Sequence, residues 1–217
     1  MHTLNEQSLH ETLDTMTEYG WAQSDRLLPA ALCEALYVEA LEHERRGDLL
    51  PAGIGLGREE RPDVRGDRIH WLDRESPYPA EHAFLSAMEH LMTALREHFR
   101  LGLNAYEAHF ASYAVGRAYQ KHVDRFQAQN GREISTVLFL NPNWSAADGG
   151  CLRIFHPERT DEVMATVEPK LGTFVLFRSR DIPHEVLPPA RTRYSIAGWM
   201  KNMDAPAALL QGTWSRS

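Results

Sequence analysis

The sequence predicts an α+β protein, mainly β, in which a helical first half supports a β-sandwich or barrel. Two observations carry this. From Ala80 to Phe99 the apolar residues Phe84, Leu85, Met88, Leu91, Met92, Leu95 and Phe99 recur at helical spacing and define one face to bury. After Gly102 the pattern changes to short β-branched and aromatic runs separated by turn residues, which is strand patterning.

The elements follow in order. An amphipathic stretch from about Glu6 to Met16 ends near Gly20, and Trp21 to Leu28 reads as extended. Pro29 can open a second helix with Leu32, Leu36 and Leu41 on its apolar face, and Gly47 after Arg45 and Arg46 is a fitting stop. Residues 50–63 are rich in glycine and proline and read as loop. The run Gly53-Ile54-Gly55-Leu56-Gly57 lacks the full dinucleotide fingerprint and a preceding strand, so a connector suits it better than a phosphate cradle. His82, His90 and His98 fall off the apolar stripe of the third helix at intervals of eight, which does not bring three ligands together, so they are expected on the surface. Expected strands are Ala108 to Val115, Ile134 to Asn141, Leu152 to Phe155, Val163 to Val167, Thr173 to Phe177, His184 to Leu187 and Thr192 to Met200. Asp148-Gly149-Gly150 supplies a turn between two of them, and Gly172 and Pro183 punctuate others.

Length and composition narrow the function. The chain has 217 residues, 43% of them hydrophobic, enough for a substantial core. One domain over residues 1–217 is expected, with 1–105 as helical support and first strands, 106–200 as the β core and 201–217 as a tail. With 23 Lys+Arg against 30 Asp+Glu the net charge is -7, and such a field repels a phosphate backbone. Nucleic acid is therefore not the expected partner. Cys33 and Cys151 lie far apart in apolar runs and read as small buried hydrophobes rather than a disulfide. No basic-then-apolar leader opens the sequence and no apolar run approaches membrane-spanning length, so a cytoplasmic monomer away from membranes is expected.

His122-Val123-Asp124 places an imidazole and a carboxylate two residues apart, so on extended backbone both point to one side. His184, in Ile182-Pro183-His184-Glu185-Val186 at the start of a later strand, is the candidate third ligand. Two histidines and one carboxylate form a facial triad with open positions, which suits non-haem Fe(II) binding a co-substrate and O2 together. An H-x-D tripeptide alone is a weak signal. The stretch Arg191-Thr192-Arg193-Tyr194-Ser195-Ile196-Ala197-Gly198-Trp199 strengthens it, because in a strand Arg193, Ser195, Ala197 and Trp199 share one face. A buried arginine among small residues needs an anion, and its fork matches a carboxylate in two hydrogen bonds. Arg191, beside the turn, fits a surface position.

These residues resemble the 2-oxoglutarate oxygenase superfamily, and within it the prolyl hydroxylases related to those acting on hypoxia-inducible factor. The resemblance runs from about Arg65 to Trp199. It rests on the Arg65-Gly66-Asp67-Arg68-Ile69-His70-Trp71 segment, Tyr113, His122-Val123-Asp124, Leu140-Asn141 with Trp144, the Gly149-to-Phe155 segment, Glu168-Pro169, Pro183-His184-Glu185-Val186 and Thr192-Arg193-Tyr194. It implies a double-stranded β-helix, a jelly-roll, cupin-like barrel backed by N-terminal helices. It also implies Fe(II), 2-oxoglutarate and O2 as cofactor and co-substrates, with ascorbate as an accessory reductant. His122, Asp124 and His184 would hold the metal, and Arg193 the distal carboxylate of 2-oxoglutarate. Tyr113 and Leu152 would line that pocket and Trp199 would close its floor. Phe139 departs from the family, whose animal members carry a tyrosine there that also hydrogen-bonds the co-substrate; Ser135 or a water is expected to substitute as donor.

The activity so implied is hydroxylation of a prolyl residue in a protein, with release of succinate and CO2. Bacterial members of the group point to elongation factor Tu as the candidate substrate. Residues 116–120 and 125–132 are expected to flank the active-site mouth and contact the target. Two other readings stand beside this one. A nucleic-acid demethylase of the same superfamily would want a second arginine six residues after Arg193, where Trp199 stands. A non-catalytic metal-binding sensor would not need both the complete triad and Arg193.

Overall fold

The computed structural model describes residues 4–53, 61, 63–124 and 131–203. Helix α1 (Glu6–Tyr19) starts on the Asn5 side chain, which accepts from the Ser8 backbone N–H, and stops at Gly20 in the left-handed region. It runs one turn beyond its apolar pattern. Helix α2 (Ala30–Arg46) follows Pro29 and ends on Gly47, with basic residues in its last turn where the helix dipole favours them. It buries Leu32, Cys33, Leu36 and Ala40. Leu41, expected on that face, is 38% exposed because α2 turns Ala40 and His43 inward instead. Helix α3 (Pro79–Phe99) buries its stripe as expected, and its off-stripe histidines are exposed. Its open N-terminal N–H groups at Ala80 and Glu81 are capped by the two oxygens of Glu39 from α2, at 2.9 and 3.0 Å.

The strands are β1 (Trp21–Ser24), β2 (Leu50–Pro51), β3 (Asp67–Trp71), β4 (Ala105–Tyr113), β5 (Tyr119–His122), β6 (Arg132–Phe139), β7 (Leu152–Phe155), β8 (Val163–Val167), β9 (Phe174–Arg178), β10 (His184–Val186) and β11 (Arg193–Lys201). They form a seven-stranded sheet, β1-β9-β6-β11-β4-β3-β2, and a four-stranded sheet, β5-β10-β7-β8, with antiparallel pairing throughout. From β4 onward the strands other than β5 fall close to expectation. β2, β3 and β5 were not expected as strands: the first is two residues long, and the others are too polar to show alternation.

Alternation sorts the larger sheet into two faces. Tyr194, Ile196 and Met200 of β11, with Phe110, Ala108, Leu138 and Ile134, pack against the three helices in one core. Tyr113, Ala111, Phe139, Val175 and Phe177 face Leu152, Ile154 and Val186 of the smaller sheet in a second core. This is the two-sheet jelly-roll with helices on one outer face. The candidate site lies at the end of the second core where β5 and β10 meet.

Candidate metal and co-substrate site

His122 ends β5 and His184 begins β10, and the two are register partners across the smaller sheet. Asp124 lies two residues beyond the strand end, with its backbone N–H on the Ser179 carbonyl at 3.0 Å. One oxygen of Asp124 faces both rings, 3.5 Å from His122 Nε2 and 3.7 Å from His184 Nε2. One ligand atom from each of the three residues lies within 4.8 Å of the others.

The surrounding bonds orient every donor. His122 Nδ1 meets the Gln120 carbonyl at 2.6 Å, and His184 Nδ1 meets the Ile182 carbonyl at 3.2 Å. A carbonyl only accepts, so Nδ1 carries a proton in each ring, which leaves Nε2 as the atom that could ligate a metal. Ser135 donates to one oxygen of Asp124 at 2.6 Å and lies 2.8 Å from Ser179. Burial and the neighbouring His122 push the His184 pKa down to about 4, which keeps its ring neutral and able to ligate. Burial opposes ionisation of Asp124, but His184, His122 and the Ser135 hydroxyl outweigh it and hold the carboxyl well below the usual range.

Arg193 is 1% exposed. Its Nε donates to the Gly150 carbonyl at 2.8 Å and a terminal nitrogen reaches Ser195 Oγ at 3.3 Å. The guanidinium lies 5.1 Å from the Tyr113 ring centre and 4.9 Å from that of Phe139. Among the described residues no carboxylate forms an ion pair with it, and burial pushes its pKa down to about 10. Gly150 makes this placement feasible: its φ is +66°, and a Cβ there would stand 3.1 Å from Arg193 Cδ.

Tyr113 and Leu152 are both buried in the second core, Tyr113 directly opposite Arg193 in the β4–β11 register. Trp199 pairs in register with Ser135 and lies under Arg132, 3.6 Å from guanidinium carbon to ring centre; its buried indole N–H has no partner among the described residues. Ser135, expected as the donor beside Arg193, instead commits its hydroxyl to Asp124. Ser195 is the hydroxyl at Arg193. Tyr119 and Gln120, expected in a mouth loop, belong to strand β5, whereas residues 125–130 of the other expected recognition segment lie outside the described residues. Arg191 bonds the Pro142 and Asn143 carbonyls and pairs with Asp148, at the surface as expected.

A second potential ligand group, His43, His70 and Glu81, lies on the helix side of the larger sheet. His43 already spends one ring nitrogen on Asp48 at 3.2 Å and the other on Glu81 at 2.9 Å. The His43 and His70 rings stack with centres 4.0 Å apart and planes 26° apart, so their in-plane lone pairs run alongside one another rather than converging. This cluster is a buried polar brace between α2 and α3.

The geometry thus defines a jelly-roll protein with three side chains that could hold one metal ion and a buried arginine that could take an anion. Known proteins agree. The 2OG-Fe(II) oxygenase superfamily profile matches residues 108–201. The chain is 32% identical over 205 residues to prolyl hydroxylase EGLN3 of Mus musculus, covering 88% of this chain and 82% of that protein. A prolyl-4-hydroxylase crystal structure from Pseudomonas putida superposes with a TM-score of 0.81 at 40% identity, covering 89% of this chain and 98% of that one. The hypoxia-inducible factor prolyl hydroxylase of Caenorhabditis elegans is 29% identical over 211 residues; the match takes in 91% of this chain but 29% of that longer protein. For Egl nine homolog 1 of Homo sapiens the share is 35%, so the chain spans about a third of these two relatives. The chain belongs to the Fe(II)- and 2-oxoglutarate-dependent prolyl hydroxylase family. The family's double-stranded β-helix is the fold described above, and its cofactor and co-substrates are Fe(II), 2-oxoglutarate and O2. Among the described residues no helix is long and apolar enough to cross a membrane.

Proposed function

We propose that this protein hydroxylates a prolyl residue of a protein substrate, with elongation factor Tu as the candidate target. One observation carries the chemistry: the convergent His122, Asp124 and His184 set borders the same core as a buried arginine that has no carboxylate partner among the described residues. That combination suits Fe(II) and a dicarboxylate. The ion, once bound with 2-oxoglutarate, supplies oxidation of an unactivated C–H bond coupled to formation of succinate and CO2.

The chain's own residues bind and orient. His122 and His184 would ligate through Nε2, each ring oriented by its Nδ1 bond to a carbonyl, and Asp124 through a carboxylate steadied by Ser135. With three protein ligands, a bound ion would have room left for co-substrate and O2. Arg193 would grip the far carboxylate of 2-oxoglutarate, and Tyr113, Phe139 and Leu152 would exclude water around it. The buried Trp199 N–H, without a partner among the described residues, is a donor that a ligand could use. The prolyl substrate class rests on the family, and elongation factor Tu on the resemblance to its bacterial members.

Phe139 touches the Arg193 guanidinium where a tyrosine hydroxyl would aid it. Phe139→Tyr is expected to lower the KM for 2-oxoglutarate about fivefold, the worth of one hydrogen bond of roughly 1 kcal/mol, with kcat little changed. Steady-state succinate formation measures this; an unchanged or raised KM would show that the ring does not border the far carboxylate.

The substrate reading is tested by mass spectrometry of elongation factor Tu incubated with the protein, Fe(II), 2-oxoglutarate and O2, with His122→Ala as control. One added oxygen on a proline, absent in the control, is the expected result. Succinate without an oxidised proline would discard elongation factor Tu and retain the oxygenase.

A further inference from the structure

The buried ion pair of Arg65 and Asp67 is unexplained by the metal and co-substrate contacts alone. Arg65 forks onto Asp67 with bonds of 2.7 and 2.9 Å, and the two side chains are 13% and 1% exposed. Removing two charges from water costs several kcal/mol per ion before their attraction is counted, so such a pair is poor evidence for stability and better evidence for fixing a geometry. What it fixes is visible in its neighbours. The Arg65 guanidinium lies 5.1 Å from the Tyr119 ring centre. Tyr119 in turn stacks on His122, with centres 3.6 Å apart and planes within 21°. Asp67, at the base, is anchored in β3 opposite Tyr113.

The backbone repeats the connection. Arg65 bridges Tyr119 antiparallel, Gly66 N–H donates to the Ala118 carbonyl and Gln120 N–H to the Val64 carbonyl, both at 2.9 Å. β5 is an edge strand of the smaller sheet, held on one side by β10 and on the other by this segment entering β3 of the larger sheet. A four-residue polar edge strand has little core of its own to hold it. It nevertheless carries the first ligand.

We propose that Asp67, Arg65 and Tyr119 form a positioning column that sets the His122 ring and clamps β5 between the two sheets, so that the ion pair acts on metal affinity through His122. Asp67 orients the guanidinium in the plane of its fork, the guanidinium caps one face of Tyr119, and Tyr119 holds the imidazole plane. His109, 3.4 Å from Arg65 and kept neutral by burial with its pKa pushed down to about 4, bounds the guanidinium on another side without a competing charge. The proposal rests on the reading of His122, Asp124 and His184 as the metal ligands.

The test is titration of the full chain with Co(II), following the visible absorption of the bound ion, alongside thermal melting without metal. Asp67→Asn leaves a near-isosteric side chain but no charge, and is expected to weaken Co(II) about 10- to 100-fold, the usual loss when support behind a ligand goes, with an altered spectrum. Tyr119→Leu should weaken it comparably, and Tyr119→Phe, which keeps the ring, should restore it. Glu39→Gln is the control: it loosens the α3 cap in the other core, so it should melt earlier with unchanged Co(II) affinity. Asp67→Asn and Tyr119→Leu both binding within twofold of wild type would overturn the proposal, as would Glu39→Gln weakening Co(II) for the same loss of melting temperature. His122→Ala separates the two levels. If it binds Co(II) as wild type does, the ligand reading and the column fall together; if it alone loses binding, only the column falls.

Discussion

Asp124→Asn is expected to lower Fe(II) affinity by at least about a hundredfold, because losing a group that merely supports a ligand already costs roughly 10- to 100-fold, and to abolish succinate formation. The electrostatics give the reason. Asp124 is the one carboxylate of the three residues, and the Ser135 hydroxyl steadies its charge in a buried site. The amide oxygen of asparagine could occupy the same point in space without that charge. Its NH2 would replace the oxygen that accepts from Ser135, but Ser135 lies 2.8 Å from Ser179 and can turn its proton there, so the fold should persist. Anaerobic Fe(II) titration, with Mn(II) as an air-stable check, measures the effect. Affinity within threefold of wild type in a folded Asp124→Asn protein would remove Asp124 from the metal's coordination and leave the histidine pair unexplained.

Much of this site is legible in the amino-acid order because its chemistry is local. His122 and Asp124 are two residues apart, Arg193 and Ser195 share a strand face by simple alternation, and Gly20 and Gly47 mark helix ends through their own backbone preference. What is not legible depends on register. Ser135 is oriented by Asp124 eleven residues earlier and by Ser179 forty-four later, and nothing in a Glu-Ile-Ser-Thr run tells that its serine turns toward Asp124. The column of Asp67, Arg65 and Tyr119 joins two segments that pair across sheets, through strands too short and polar to carry an alternating signal. Leu41 misled for a related reason: the helix buries the polar His43 to reach Glu81, and the apolar stripe rotates to accommodate it. Register, rather than propensity, separates the parts that could be read from those that could not.

Arg193→Leu is expected to raise the KM for 2-oxoglutarate by between two and four orders of magnitude, corresponding to the roughly 3–5 kcal/mol lost when one member of a buried ion pair is removed. The same substitution should leave the protein without co-substrate at least as stable as wild type. Arg193 is 1% exposed and forms no ion pair with a described carboxylate, so the free protein bears the cost of a desolvated charge that two hydrogen bonds and two aromatic faces offset only in part. A hydrophobic side chain relieves that cost, and replacing buried charge in this way is commonly neutral or stabilising by about 1–4 kcal/mol. Opposite signs on binding and on free-protein stability are the signature of a residue kept for its ligand. Arg193→Lys separates charge from shape: it retains the attraction but not the two-pronged fit, and should fall between wild type and leucine in KM. Metal affinity should stay within a fewfold in both variants, since Arg193 contacts none of the three metal-site side chains. Melting curves with and without 2-oxoglutarate, in the presence of Mn(II), read all of this at once. Arg193→Leu should lose the co-substrate-induced rise while keeping the metal-induced one. If the 2-oxoglutarate-induced rise survives in Arg193→Leu, the buried guanidinium does not bind the far carboxylate, and its burial without a protein anion would need another ligand to explain it.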